Sequence, residues 1–237
     1  MIQDLTILSY CHIAHRVWIP HWVQQLNRQT VRRFSVLFIC HNWEPEECDH
    51  DEFKKLDPDI YKKFVCCSYK SEPIIGAVID HGALLVDTEW LGHFDLDDII
   101  HPRRLELQSR FLDVNPDMDF LNARAIGFNG EDPEFDLHYC DQSSPLLEYL
   151  TDPSLNTNKQ IKECFNKGYN CLTHGLMIYK PEVLKSIGGF SRSDVNIDGV
   201  SPDWATWKKA INAGYTFYRL PELLMSWRLD SSAIRNR

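Results

Sequence analysis

Apolar residues run along this chain in two rhythms. Short unbroken stretches, "LTILS" at 5–9 and "FSVLFIC" at 34–40, have the length and composition of strands. Between them Pro20 stands where a helix starts, and Trp22, Val23 and Leu26 recur at helical spacing. Strand, helix, strand is the unit of a parallel sheet covered by helices. The alternation continues with a helix over "EPIIGAVIDHGALLV" (72–86) and a strand at "WLGHFD" (90–95). An amphipathic helix over "PRRLELQSRFLDV" (102–114) and a strand at "MDFLNARAIGF" (118–128) follow. The first half therefore reads as α/β.

The second half is less regular. Residues 129–160 are rich in Asp, Glu, Pro, Ser and Asn and predict loops with short elements, a kind of excursion that often carries function. Order returns with a strand at "CLTHGLMIYK" (171–180) and a short helix at "PEVLKSIGG" (181–189), which opens on proline and stops on glycine. "SPDWATWKKAINAG" (201–214) is the clearest helix, with Ser201 as N-cap, Pro202 in the first turn and Gly214 closing it. "TFYRL" and "LLMSWRL" predict two final strands. No internal repeat or low-complexity segment interrupts the pattern.

Composition narrows the function classes. At 237 residues the chain can bury one sizeable core, and 43% hydrophobic with 25% charged residues is ordinary for a globular protein. A net charge of -9 argues against a protein that tracks nucleic-acid phosphates. No apolar run approaches membrane-spanning length, and "MIQDLTILSY" is no secretory leader, so the expected location is the cytoplasm, as a protein or as a domain of a longer one. The eight cysteines (Cys11, Cys40, Cys48, Cys66, Cys67, Cys140, Cys164 and Cys171) include no CxxC pair and read as reduced thiols. Cys40, His41, Cys48 and His50 match no established zinc spacing.

The densest chemistry lies in "GHFDLDDIIHP" (92–102), where Asp95, Asp97 and Asp98 crowd the end of an expected strand. Such carboxylates repel one another unless a positive group neutralises them. Ligands of parallel sheets bind outside the carboxyl ends of the strands. On an extended chain Asp95 and Asp97 point to one side and share a ligand. Hard oxygens in this number suit Mg2+ or Mn2+ held jointly by carboxylates and substrate phosphates. The simpler reading is an acidic loop capping the helix at Pro102. Asp203, at the start of a strong helix, reads by itself as a macrodipole partner worth about 0.3–1 kcal/mol. Trp204 and Trp207 follow it as aromatic faces, with Trp207 at core spacing.

"FDLDDIIHPRRLELQSRFLDVNPDMDF" resembles the metal-binding segment of the GT-A-fold inverting glycosyltransferases, the large family that includes cellulose, chitin and hyaluronan synthases and bacterial polysaccharide transferases. "QQLNRQT" with "FSVLFIC", "YKPEVLKSIGGF" and "PDWATWKKAINAGYTFYRLPELLMSWRLDSS" resemble further segments of that family in the same order. The resemblance touches most of the chain outside 129–170. It implies one catalytic domain over 1–237, with a nucleotide-sugar half (1–100) and an acceptor half (101–237). It also implies an Mn2+ or Mg2+ ion at Asp97, with Asp95 facing ribose and metal shell and Asp98 beside it. The donor would be a nucleoside-diphosphate sugar, a UDP-sugar first and a dTDP- or GDP-sugar after it. The acceptor would be a glycan, with Asp203 as general base and inversion at the sugar carbon. Asp198 and Asp194 are alternative bases. His174, on an expected apolar strand, would pass beneath the donor sugar, although a packed core histidine is the commoner case.

Four positions depart from the family pattern. Asn42 or His41 stands where aspartates usually hold the base, with backbone contacts from Ser9 and Tyr10 able to share the work. Asp80 stands where Asn is typical, and Ile79 fills the usual Arg slot, leaving Lys70 or Arg103 and Arg104 as substitutes, the last two expected on the helix surface. Pro202 replaces a glutamate before Asp203. Asp230 replaces a histidine that in some members completes the metal shell. Two other readings stay open: a transferase-fold domain that binds nucleotide or glycan without turnover, and an Asp-x-Asp phosphohydrolase.

Overall fold

A computed structural model describes residues 4–65, 75–128, 148–190 and 201–228. Eight strands form one continuous sheet: β1 (Leu5–His12), β2 (Ser35–His41), β3 (Tyr61–Val65), β4 (Trp90–His93), β5 (Ile99–Ile100), β6 (Phe120–Phe128), β7 (Ile178–Tyr179) and β8 (Phe217–Arg228). Their spatial order is β3-β2-β1-β4-β7-β6-β8-β5. Pairing is parallel from β3 through β4 and between β6 and β8, and every antiparallel pairing involves one of the two-residue strands β5 and β7.

Helices cover both faces, as buried parallel strands require. Alternate residues of β1 and β2 divide between two apolar clusters. Ile7, Val36 and Phe38 face α1 (Ile19–Asn27) and α3 (Arg104–Val114). Leu8, Leu37 and Ile39 face α2 (Ile75–Leu84) and the later helices α5 (Asn158–Asn166), α6 (Pro181–Ser186) and α7 (Pro202–Asn212). A one-turn helix, α4, spans Glu148–Thr151. α2 lies close on β1, since a Cβ on Gly82 would stand 2.7 Å from Leu8 Cδ1.

Most expected elements are present, and the exceptions have local causes. "CLTHGLMIYK" is not one strand: a 3-10 turn at His174–Leu176 precedes the two-residue β7. The Asn122 side chain takes the place of a ladder partner there, donating to Thr173 O at 2.8 Å and accepting from Thr173 N at 3.2 Å. "TFYRL" and "LLMSWRL" are not two strands but the single β8, whose register slips against β6 around Ala123–Ala125, opposite the segment holding Pro221. Periodicity had shown neither β3 nor β5. Cys11, Cys40, Cys164 and Cys171 are free and buried as expected, whereas Cys48 is disulfide-bonded. Ser201 is extended at the N-cap of α7, yet its side chain makes no capping hydrogen bond. Among the described residues no helix is long and apolar enough to cross a membrane.

One buried relay ties the α1 face of the fold to the acidic turn. Trp22 Nε1 of α1 donates to Ser9 Oγ at 2.9 Å, and Ser9 donates to the carbonyl of Phe94, one residue before Asp95, at 2.7 Å. Ser9's only side-chain proton is thus spent inside the protein. Ser9→Ala leaves the Trp22 N–H and the Phe94 carbonyl unanswered in the core. It is expected to cost about 1–3 kcal/mol, read as a lower urea midpoint at unchanged m-value.

Candidate functional site

β2, β1 and β4 end at one edge of the sheet, at His41, His12 and His93. That edge is where an open α/β sheet binds its ligands. Beyond β4 the chain does not stay extended: residues 96–98 form a turn before β5. The expectation that Asp95 and Asp97 share a side of an extended chain is therefore corrected. Asp95 and Asp98 both reach the space over Gly175, and the charge of Asp97 still acts on Asp95. A Cβ built on Gly175 would lie 3.1 Å from Asp95 Oδ2 and 3.4 Å from Asp98 Oδ2, so glycine keeps this space open. Asp97 is half-buried beside them.

Asp98 is 1% exposed. Its Oδ1 accepts from the Arg228 backbone N–H at 3.1 Å, while Oδ2 is buried with no partner. Burial, then the charges of Asp95 and Asp97, hold its carboxyl well above the usual aspartate range, against the pull of the Arg228 hydrogen bond and charge. Asp95 is shifted up too. Burial is the largest cause and Asp97 and Asp203 add to it, while His174 and Arg104 oppose it. Tyr10 shares this field: burial raises its phenol well above the ordinary value, and Asp95, Asp203, Asp97 and Asp98 all push it further. Asp203, in the first turn of α7, thus stands within electrostatic reach of the acidic turn although 105 or more positions separate them in sequence.

Two arginines answer this charge. Arg104 was expected on a helix surface but is fully buried, while Arg103 pairs at the surface with Glu106. Arg104 donates to His93 O at 2.7 Å and Gln108 Oε1 at 3.0 Å, and Gln108 in turn donates to Leu176 O in the His174 turn. Burial pulls the Arg104 guanidinium down to about 9 while Asp95 and Asp98 pull it up, so it is charged at neutral pH. Arg228, ending β8, donates from Nε to Asp97 O at 3.0 Å, and its guanidinium lies over the rings of Trp18 (4.9 Å) and Phe128 (4.6 Å). Periodicity had given no reason to bury Arg104. Arg228 was legible only as the arginine of "WRLD".

The remaining expected residues fall around this centre. His174 is half-buried with both ring nitrogens unpartnered, its ring 4.1 Å from His93 and 6.4 Å from Tyr10. It sits on the 3-10 turn, not on a strand. Asn42 follows β2 in the left-handed region (φ 58), with Oδ1 buried and unpartnered. Asp80 accepts from Phe190 N at 2.7 Å, and Gly189 (φ +73) makes room for its carboxylate, which explains the Gly-Gly-Phe run after α6. Ile79, in the family's arginine slot, is core. Trp207 is core as expected, while Trp204 is half-buried with an unpartnered indole N–H. Asp230, Asp194, Asp198 and Lys70 lie outside the described residues.

Among the described residues no group of three or more His, Cys, Asp or Glu forms a ready metal cage. Asp98 Oδ2, buried and unanswered beside Asp95 Oδ2, still fits a hard divalent cation that takes one or two carboxylates and draws its other ligands from phosphates and water.

No family model matches the chain. An uncharacterized glycosyltransferase of Methanocaldococcus jannaschii is 22% identical over 214 residues, 90% of this chain and 67% of its own length. Another, of Haemophilus influenzae, is 24% identical over 163 residues, 69% of this chain and 53% of its own. S. aureus TarS superposes with a TM-score of 0.63 at 14% identity, over 95% of this chain and 37% of that one. A mannosyltransferase from Pyrobaculum calidifontis, solved with GDP-Man and Mn2+, gives 0.61 at 14% identity over 94% and 56%. The fold is that of the GT-A glycosyltransferases. The α/β architecture and GT-A class expected from the resemblance are borne out, and at these identities the solved structures establish the fold alone.

The raised Asp98 carboxyl gives a pH prediction. Its proton is held more tightly folded than unfolded, so stability falls as pH rises from the ordinary aspartate value of about 3.9 toward the folded one. Asp98→Asn removes the charge and keeps an oxygen for the Arg228 N–H. In chelator, thermal melts should place Asp98→Asn above wild type at pH 7, with the gap closing as pH falls to about 4.

Proposed function

We propose that this chain is a metal-dependent inverting glycosyltransferase that moves a sugar from a nucleoside-diphosphate donor to a hydroxyl of a glycan acceptor. What supports this reading is the pair Asp95 and Asp98 beside Gly175, with Asp203 close enough to act electrostatically on Asp95, at the carboxyl edge of a GT-A sheet. Neighbours of the same fold are solved with UDP-GlcNAc, with UDP, and with GDP-Man and Mn2+. In this reading Asp95, Asp97 and Asp98 would hold an Mn2+ or Mg2+ ion, and the resemblance adds Asp230, outside the described residues, as a further ligand. When bound, the ion offsets the charge that develops on the leaving nucleoside diphosphate. The chain's own groups do the rest.

Asn42 offers a buried acceptor to an N–H of the nucleobase, with Tyr10 supplying a backbone contact on the neighbouring strand, while Ser9, wholly buried, holds that strand in place rather than the donor. Asp80 and His174 line the donor side. Asp203 takes the proton from the acceptor hydroxyl as that oxygen attacks the sugar carbon opposite the leaving group, which inverts the centre. Its half-buried place at a helix start leaves it open to an incoming hydroxyl. The chain spans between about half and two thirds of the lengths of its two named relatives, so activity and acceptor belong to this proposal.

The test is a thermal-shift screen of UDP-, dTDP- and GDP-sugars with and without Mn2+, followed by kinetics on the donor it selects. Asp203→Asn should lower transfer by about 10²–10⁴-fold, the usual span for loss of general acid–base help, while still binding donor and Mn2+. Asp97→Ala should lose the Mn2+-dependent shift. Full transfer by Asp203→Asn would remove it as the base, and no Mn2+-dependent shift with any donor would sink the donor site altogether.

A further inference from the structure

The acidic turn is held from two sides by residues with no part in the chemistry above. From one side Arg228 donates its Nε–H to the carbonyl of Asp97 at 3.0 Å and its backbone N–H to the carboxylate of Asp98. From the other side, His21 of α1 places its Nε2 2.9 Å from the carbonyl of Asp98. A carbonyl only accepts, so the proton must sit on Nε2 of His21.

These contacts belong to one packed unit. Trp18 holds the Arg228 guanidinium over its face at 4.9 Å and meets the His21 ring edge-on at 6.0 Å and 81°. Below His21 the clamp continues at intervals of four residues along one side of α1 and the turn after it. Gln25 Oε1 accepts from Ile100 N at 3.3 Å. Gln29 donates to His101 O at 3.1 Å and accepts from Leu105 N at 3.2 Å. Both glutamines are almost wholly buried. Residues four apart stand one above another on a helix, so a single side of α1 addresses successive peptide groups from Asp98 to Leu105. The apolar residues of α1, Ile19, Trp22, Val23 and Leu26, are fixed in the sheet core.

We propose that α1 is the positioning element of the candidate cation site, with His21 and Arg228 as positioning residues that fix the Asp97–Asp98 peptide from opposite sides. The inference rests on the donor-site reading above and adds what holds its ligands in place. Carboxylates on a turn make a weak cation site unless the backbone that carries them is fixed, and groups that orient ligands typically contribute 10–100-fold in metal affinity. His21 touches neither ion nor substrate in this scheme; it acts through the Asp98 carbonyl.

The experiment is an Mn2+ titration followed by electron paramagnetic resonance, in the presence of whichever of UDP, dTDP and GDP the donor screen selects. His21→Ala should weaken Mn2+ by about tenfold, and His21→Gln, whose amide can donate to the same carbonyl, should recover most of it. In turnover assays the Mn2+ activation constant should rise by more than kcat falls. Wild-type Mn2+ affinity in His21→Ala would overturn the inference, as would a His21→Gln variant as weak as His21→Ala. Should His21→Ala fail to fold, Arg228→Lys keeps the charge while losing the Nε geometry, and unchanged Mn2+ affinity in that variant overturns the inference equally. If the wild type itself binds no Mn2+ with any of the three nucleotides, the donor site and this inference fall together. A wild type that binds normally beside unaffected variants sinks the positioning role alone.

Discussion

A carboxylate taken out of water must be answered, and the placing of Asp98 governs much of this molecule. One oxygen is met by a peptide N–H at the far end of β8, and the other is left facing Asp95 across the gap that Gly175 keeps open. That arrangement costs stability in the isolated protein because desolvation and like charge both favour the protonated acid. It persists because the surroundings over-determine it. Arg104 lies buried beneath, Arg228 holds the backbone alongside, and the Ser9 relay fixes the chain where it enters the turn. Stability is given up locally, and the cost falls away once a positive charge reaches Asp98.

The same economy explains which parts of the fold could be read in advance. Long elements whose apolar residues repeat with one period, such as α7 and β2, announce themselves, since burial of a whole face sets the pattern. Short elements fixed by side-chain substitution do not. The turn at His174 exists because Asn122 imitates a backbone partner, and nothing in "CLTHGLMIYK" signals an amide arriving from fifty residues upstream. β5 consists of two isoleucines that would suit a helix or a loop as well.

At the site the legible part was the kind of residue, and the hidden part was its environment. Three aspartates in four positions, and a fourth opening a helix, marked candidates that the fold then brought into one field. Which carboxylates face each other depended on the turn after β4, which spacing along an extended chain misjudges. The arginines were harder still. Arg103 and Arg104 are neighbours of identical type, yet helix geometry sends one to solvent and the other under the sheet edge. Charge alone argued for the surface in both cases.

The irregular pairing of β6 with β8 has a consequence of its own. Nine residues of β6 run alongside twelve of β8, and the surplus is absorbed around Pro221. Side chains alternate along a strand, so an odd surplus decides which face each later residue of β8 presents. The arrival of Arg228 beside the acidic turn is therefore a matter of counting as much as of chemistry. Deleting one residue near Pro221, with every site residue retained, would bring a neighbour's peptide to Asp98 and turn the guanidinium to the opposite face. Chain length within β8 is in this sense part of what places Arg228 at the acidic turn, and homologous sequences would have to be compared there by gaps rather than by identities.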